Sequence, residues 1–488
     1  MVLGRARWLG LALVVWPLTA LWWASVVLVP ALGVWVASSI AAYRNGPVWL
    51  ACVCGLLLFP LVPLLWDLLG TWRRARARRS RPRILTFRDR LILRTLVLNL
   101  AVLAGLLARF PQTTFTALST RGDWFLDGRS GPQVDEARAL LFRAADHVEW
   151  MFDAVHANPY DEVVRDEGGP PLPSPGPVPG DSKDAPGPTR SVTPPSSGAT
   201  PAWPLPAQLH PLVIDMPAQA EVSIEAVGRF IAEHEPDQRL RIKALHDYVA
   251  DRVAYDAAAY ADRRYPPQDA ETVFRTRLAV CAGSAQLLAA LGRAAGEEIV
   301  VVLGDARTQG SDVTGEGHAW NAARVADDWH LLDPTWDAGS VDGRTFNKRY
   351  SSSYLFAPPA VFAISHFPDE PRWQLQARPL SRGEFFRAPM MRAEFHALGL
   401  ALLGPDRSQV SVDEVFEISV DNPMGRFILA KFVAHDGSTG RCAVANGPRA
   451  RARCPLPAAG DYKVDLFAAA EEFGSYPLVG SFAVNRVR

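Results

Sequence analysis

Val280-Cys281-Ala282-Gly283-Ser284-Ala285-Gln286-Leu287-Leu288-Ala289-Ala290-Leu291 reads as the start of a helix packed by small residues, with a thiol in its first turn. A helix N-terminus carries the positive end of the macrodipole, a setting in which thiols serve as nucleophiles. The helix is expected to run to Ala295 and stop at Gly296. Ahead of it lie an extended Arg-rich run, 275–280, and a short helix over 269–275. Two longer helices precede those, 223–234 and 238–252, the second with Leu240, Ile242, Leu245, Tyr248 and Val249 facing inward. Behind it, the β-branched run 298–304 predicts a strand. The segments 317–325 and 329–333 predict two more, joined at Ala326-Asp327-Asp328. Helices first and an antiparallel sheet second make an α+β domain.

The sheet carries two further chemical groups. His318 lies in Gly317-His318-Ala319-Trp320-Asn321, and Asp333 in Leu331-Leu332-Asp333-Pro334-Thr335-Trp336-Asp337. If the two strands pair as a hairpin, His318 and Asp333 fall on neighbouring strands. Cys281, His318 and Asp333 then form a catalytic triad of nucleophile, base and orienting acid. A neighbouring imidazolium stabilises a thiolate, and a carboxylate on the other ring nitrogen fixes tautomer and orientation. Acyl transfer also needs donors aimed at the oxyanion. The backbone N–H of Cys281 is one, and Gln268, just ahead of the short helix, is a side-chain oxyanion candidate.

Each residue also has a plainer reading. Cys281 can be a small buried residue, His318 a structural strand histidine, Asp333 the cap of a turn and Gln268 ordinary surface. Asp337, His330 and His366 read as structural, and Trp320 and Trp336 as walls that keep the triad dry. The thiols are too scattered for zinc-ligand spacing, so no metal and no cofactor is expected.

Working outward, 488 residues predict two or three domains. With 51 basic and 51 acidic residues the net charge is zero, and nothing points to nucleic acid as a partner. The average conceals segregation. Apolar stretches at 8–43, 47–70 and 91–107 can each supply roughly 18–20 residues, about what a ~30 Å hydrocarbon core requires. A cleaved signal peptide does not fit three such stretches. Pro17 and Pro30 leave the first stretch open as one tilted span or a tight hairpin. Between the second and third lies Trp72-Arg73-Arg74-Ala75-Arg76-Ala77-Arg78-Arg79-Ser80-Arg81-Pro82-Arg83, followed by Arg88, Arg90 and Arg94. A short basic loop stays on the cytoplasmic side. High Pro, Ala and Arg usage suits a G+C-rich bacterial genome, so the expectation is an inner-membrane anchor (1–110) with the catalytic region in the periplasm and the lipid bilayer as a partner.

After the anchor, residues 111–167 form a juxtamembrane segment containing an amphipathic helix at 134–156. Its expected apolar face is Ala137, Leu140, Leu141, Ala144, Val148, Met151 and Phe152. Residues 168–206 are dense in Pro, Gly, Ser and Thr and predict a disordered linker. The catalytic domain follows at 207–375 and a β-rich domain at 376–488. Apolar alternation at 411–420, 427–434, 461–468 and 478–484 suggests a β-sandwich. Cys442 and Cys454 flank the turn signal Asn446-Gly447; an oxidising compartment allows a disulfide between them, and two unpaired thiols are the alternative. Cys52 and Cys54 lie in the second apolar stretch.

The motifs Val280-Cys281-Ala282-Gly283, Gly317-His318-Ala319-Trp320-Asn321 and Asp333-Pro334-Thr335-Trp336-Asp337 resemble those of the transglutaminase-like superfamily, within the papain-like cysteine enzymes. The tail His366-Phe367-Pro368-Asp369-Glu370-Pro371-Arg372-Trp373-Gln374-Leu375, with Phe385-Phe386-Arg387-Ala388-Pro389 after it, is similar to the kyphoscoliosis peptidase-like branch. The resemblance implies Cys281 as nucleophile, His318 as base and Asp333 as orienter. Ser284 stands where the family commonly has an aromatic residue, which alters packing behind the thiol and leaves the triad intact. The expected activity is hydrolysis of a peptide or amide bond in a protein or peptide substrate, cell-wall peptide included. The alternatives are acyl transfer from protein glutamine to an amine, or a non-catalytic membrane-tethered scaffold.

Overall fold

The computed structural model describes residues 2–44, 46, 48–76, 85–129, 131–165, 203–308 and 312–487. Most of the predicted linker and the centre of the Arg-rich loop lie outside them. The chain divides into two compact units, Met1–His156 and Ala157–Arg488.

In the first unit the N-terminal apolar stretch is one continuous helix, Val2–Tyr43, passing through Pro17 and Pro30 without a hairpin. Among the described residues, three helical segments are long and apolar enough to cross a membrane: Thr19–Tyr43, Trp49–Arg76 and Phe87–Arg109. The second is interrupted by a π-helical turn, Leu57–Leu61, at Pro60, whose missing N–H cannot continue the α-helical ladder. Its lone carboxylate, Asp67, pairs with Arg90 at 2.9 Å and with Arg94, both on the third helix. Thr86 and Asp89 cap that third helix reciprocally, in a capping box.

The amphipathic helix expected over 134–156 is broken. Pro132–Asp146 ends at His147, and a short helix, Glu149–Asp153, restarts beyond it. The buried face is Phe142, Ala145, Met151 and Phe152, whereas Leu140 is 57% exposed. The stripe that is used runs through Leu141, Phe142 and Ala145, and Leu140 falls outside it.

The second unit begins with helices Ile224–His234, Gln238–Arg252 and Ala270–Thr276, each with an N-cap side chain bonded to its first turn: Ser223, Asp237 and Asp269. They enclose the helix Cys281–Ala295, from which Leu287, Leu288 and Leu291 enter a core shared with Ile242, Leu245, Tyr248, Val249 and Ile299. Leu240, predicted inward, is 41% exposed, because the buried side of that helix is centred on Ile242, Leu245 and Val249.

Against these helices lies a five-stranded antiparallel sheet. Its order is Leu355–Ala357, Asp328–Leu332, Glu316–Val325, Ile299–Ala306, His366–Pro368. Val325 pairs with Asp328 across a two-residue turn, one residue shorter than the expected Ala326-Asp327-Asp328, with Ala326 at φ +53°. The last residues of the predicted linker are part of this folded unit. Leu205 packs on the helical core, and its carbonyl accepts the Ser352 hydroxyl at 2.6 Å.

The C-terminal region holds two sheets, one built on Phe427–Ala434, Gly460–Ala469 and Leu478–Arg486, the other on Val415–Asp421 and Arg449–Pro455. Their inner faces share one core of Phe416, Ile418, Ile428, Val464, Leu466 and Phe482, the expected sandwich arrangement. Strand pairing is antiparallel except for Gln409–Val412, which runs parallel to Leu478–Arg486. Cys442 and Cys454 form a disulfide with Cα atoms 4.3 Å apart, leaving Cys281 the one free thiol outside the apolar helices.

Candidate active site

Cys281 is the first residue of its helix, and its N-cap, Val280, is extended with no side-chain cap. The thiol is 1% exposed, in an apolar setting made by Val280, Ala282, Ala285 and Ala319. Gln268 is buried directly behind this helix start. Its Oε1 accepts the Val280 N–H at 2.9 Å, and its Nε2 donates to the Pro266 carbonyl at 3.0 Å. It holds the backbone N–H of the N-cap residue, one residue before the nucleophile candidate. Gly283 faces the same amide, and a Cβ there would come 2.5 Å from Gln268 Oε1.

His318 and Asp333 meet because of the hairpin register. Asn321 pairs with Leu332, so Asp333, just past the second strand, comes level with Trp320, two residues from His318 along the first. His318 Nε2 lies 2.8 Å from Asp333 Oδ2, leaving Nδ1 for Cys281, with which the ring interacts. Burial disfavours charge on the imidazole, but Asp333 and Cys281 together outweigh it and raise its pKa to about 10. Burial likewise pushes the Asp333 carboxyl upward, and the two histidines facing it reverse this and hold it well below the usual carboxylate range.

The second of those histidines is His366, read from sequence as merely structural. Its Nε2 lies 3.1 Å from the same Asp333 Oδ2, and its Nδ1 is 2.8 Å from the Ser365 hydroxyl. Burial lowers its pKa to about 4. A neutral ring facing a carboxylate through Nε2 must carry its proton there, so Nδ1 accepts from Ser365. Asp333 Oδ1 accepts the N–H groups of Thr335 and Trp336, at 2.8 and 3.1 Å, and caps the turn Pro334–Ala338. One oxygen of Asp333 therefore caps the turn while the other faces the two imidazoles.

Aromatic rings close this cluster. Phe362 and Trp336 lie 4.2 and 4.5 Å from the His366 ring, and fully buried Trp320 lies 6.0 Å from His318. Trp336 is only partly buried. Asn321 ties helix to sheet, its Nδ2 donating to the carbonyls of Ala285 and Val300 at 2.9 and 3.2 Å. Deeper still, His246 sits between Asp247 (3.2 Å) and Asp337 (3.3 Å), with Lys243 also on Asp247. His330 lies apart from the site, stacked edge-on against Phe356. Ser284 is buried on the Cys281 helix. His318, Asp333 and His366 are close enough to hold a metal ion by distance alone.

A helix N-terminus bearing Cys281, packed on an antiparallel sheet that presents His318 and Asp333, has the architecture of a transglutaminase-like domain. Residues 225–334 match the family model described as "Transglutaminase-like superfamily". The chain is 33% identical over 196 residues to Kyphoscoliosis peptidase of Mus musculus, covering 38% of this chain and 29% of that protein. It is 31% identical over 193 residues to Kyphoscoliosis peptidase of Homo sapiens, with the same 38% and 29% coverage. Hillarin of Drosophila melanogaster is 30% identical over 95 residues, 17% of this chain and 12% of that protein. The chain thus spans 29% of the length of the first two relatives.

Proposed function

We propose that the protein is a membrane-anchored cysteine enzyme that attacks peptide or amide bonds, with Cys281 as nucleophile, His318 as general base and acid, and Asp333 as orienting acid. The observation that carries the reading is the His318–Asp333 contact of 2.8 Å, which leaves the other ring nitrogen for a thiol at a helix N-terminus.

In the proposed cycle the thiolate adds to a carbonyl carbon, and the oxyanion receives the Cys281 N–H. Gln268 serves by holding Val280 and the helix start in place. His318 passes its proton to the leaving amine, and an acyl-enzyme remains. Water, deprotonated by His318, then releases the acid. Hydrolysis is favoured over transfer to an amine because no feature marks an amine site among the described residues. The substrate is a protein or peptide. The anchor is the set of apolar helices, with the basic loop on the cytoplasmic side and the catalytic unit in the periplasm. The disulfide Cys442–Cys454 supports an oxidising compartment.

The test is alkylation of the full-length protein by iodoacetamide near neutral pH, read by mass spectrometry of each cysteine-containing peptide. Alkylation of Cys281 should slow in His318→Ala, because the imidazolium that favours the thiolate is gone. Equal rates in the wild type and His318→Ala would overturn the proposal.

A further inference from the structure

Residues 157–165 belong by contact to the second unit, although in sequence they precede the Pro-rich segment. They cross the nucleophile. Asn158 anchors one end: its Nδ2 donates to the Gly304 carbonyl at 2.8 Å and lies 3.4 Å from Asp369 Oδ2, while its Oδ1 accepts the Tyr160 N–H at 3.0 Å. Pro159 lies flat on Gly317, the residue before His318, so closely that no Cβ fits between them. At the other end Gln286, on the Cys281 helix, donates from Nε2 to the Val163 carbonyl at 2.9 Å.

Between the two anchors, Tyr160 is 0% exposed and packs with Cys281, Val280, Ala282, Ala285 and Ala319. Burial, with the nearby Cys281 thiol, pushes the phenol far above its ordinary range, and its hydroxyl has no hydrogen-bond partner among the described residues. The ring lies 5.5 Å from Tyr265, and Tyr255, Tyr260, Val301 and Leu303 complete the recess. With this segment in place Cys281 is 1% exposed and His318 7%. A carbonyl carbon cannot reach a thiol so covered, since attack requires roughly 3–3.5 Å between reacting atoms.

We propose that residues 158–163 are a built-in strap occupying the substrate cleft, and that the recess filled by Tyr160 is the recognition site for an aromatic side chain of the substrate. The inference rests on the proposed nucleophilic role of Cys281 and specifies the substrate class for that same site. The resting chain is latent. A productive peptide displaces the strap and offers its own aromatic ring to the tyrosine-lined recess, which places an adjacent carbonyl over Cys281. Two hydrogen bonds at the Asn158 end and one at the Gln286 end set the threshold for opening.

The test is iodoacetamide alkylation of Cys281 in the full-length chain, comparing wild type with Asn158→Ala and Tyr160→Ala. Asn158 does not touch the thiol, so its replacement loosens the strap without altering the site beneath. Asn158→Ala removes both anchoring hydrogen bonds at that end, which shifts the opening equilibrium roughly five- to thirtyfold, and alkylation should accelerate by that factor. Near-UV circular dichroism unchanged from wild type shows that the fold is kept. N-acetyl-tyrosine amide should then protect Cys281 in Asn158→Ala, whereas N-acetyl-alanine amide should not. Unchanged alkylation rates in both strap variants overturn the strap. Faster alkylation with equal protection by the two amides, or with none, overturns the aromatic recess. If Asn158→Ala and the double variant Asn158→Ala/His318→Ala react equally fast, the nucleophile assignment fails while the strap stands.

Discussion

His318 and His366 share a single oxygen, Asp333 Oδ2, at 2.8 and 3.1 Å, with their rings 5.4 Å apart. The two imidazoles have opposite electrostatic fates on that one carboxylate. The ring that also faces Cys281 is held protonated, while the one enclosed by Phe362 and Trp336 is held neutral. Asp333 is thus steadied from behind by a donor that carries no charge.

Replacing His366 by Ala should remove that donor and leave a buried carboxylate oxygen short of one partner, costing about 1–3 kcal/mol. Thermal unfolding should move to lower temperature. Cys281 alkylation should fall by less than in His318→Ala, because the ring beside the thiol is still present. Parallel melting and alkylation measurements on the two variants check this.

In the proposed cycle, protonated His318 donates to the leaving amine. Its pKa is raised from 6.5 to about 10, so the imidazolium persists through neutral pH. The rate of acylation by a peptide amide should decline only as pH rises through about 10, and a decline centred near pH 7 would contradict the assignment. A pH–rate profile of single-turnover acylation supplies the measurement.

His246 gives a stability prediction with a definite sign. Burial opposes its charge, but Asp247 and Asp337 prevail and raise its pKa to about 9. A folded value above the unfolded 6.5 contributes stability that is complete below about pH 6.5 and is lost as pH rises through about 9. The melting temperature of the second unit should therefore drop across that window. His246→Gln should be less stable at pH 6, and its melting temperature should change less over the same range.

Gly283→Ala places a methyl group 2.5 Å from Gln268 Oε1 and 2.8 Å from Val273 Cγ2. Something must shift, at a cost of about 1–3 kcal/mol. The amide closest to the new methyl is the one holding Val280, so alkylation at Cys281 should change together with stability. Denaturant titration and alkylation of the variant report both effects.

Reducing the Cys442–Cys454 bridge should destabilise the C-terminal sandwich by roughly 2–4 kcal/mol. Urea midpoints with and without dithiothreitol, compared with a Cys442→Ser/Cys454→Ser double variant, measure it.

Much of this architecture was readable because its signals are local. The Cys281 helix begins and ends where the small-residue run and Gly296 say it should, and the hairpin turn falls at Ala326-Asp327. That turn fixes the register, and the register brings His318 to Asp333. What went unread depends on partners distant along the chain. His366 reaches a carboxylate 33 residues away, and Gln268 turned out to brace the backbone at Val280. The segment around Tyr160 has no periodicity of its own, and Asn158 bonds to a carbonyl 146 residues on. In 134–156 the pattern of apolar residues did reveal a helix, but not the change of phase at His147 that breaks it.

Asp333 satisfies four donors at once: two backbone amides through Oδ1 and two imidazoles through Oδ2. A lineage that abandoned catalysis could not discard this carboxylate without also unpinning the turn Pro334–Ala338. Cys281, held mostly by packing, could be exchanged for another small residue at little structural expense. In descendants that have turned from enzyme to scaffold, the thiol should therefore be the first of the three groups to disappear and the aspartate the last.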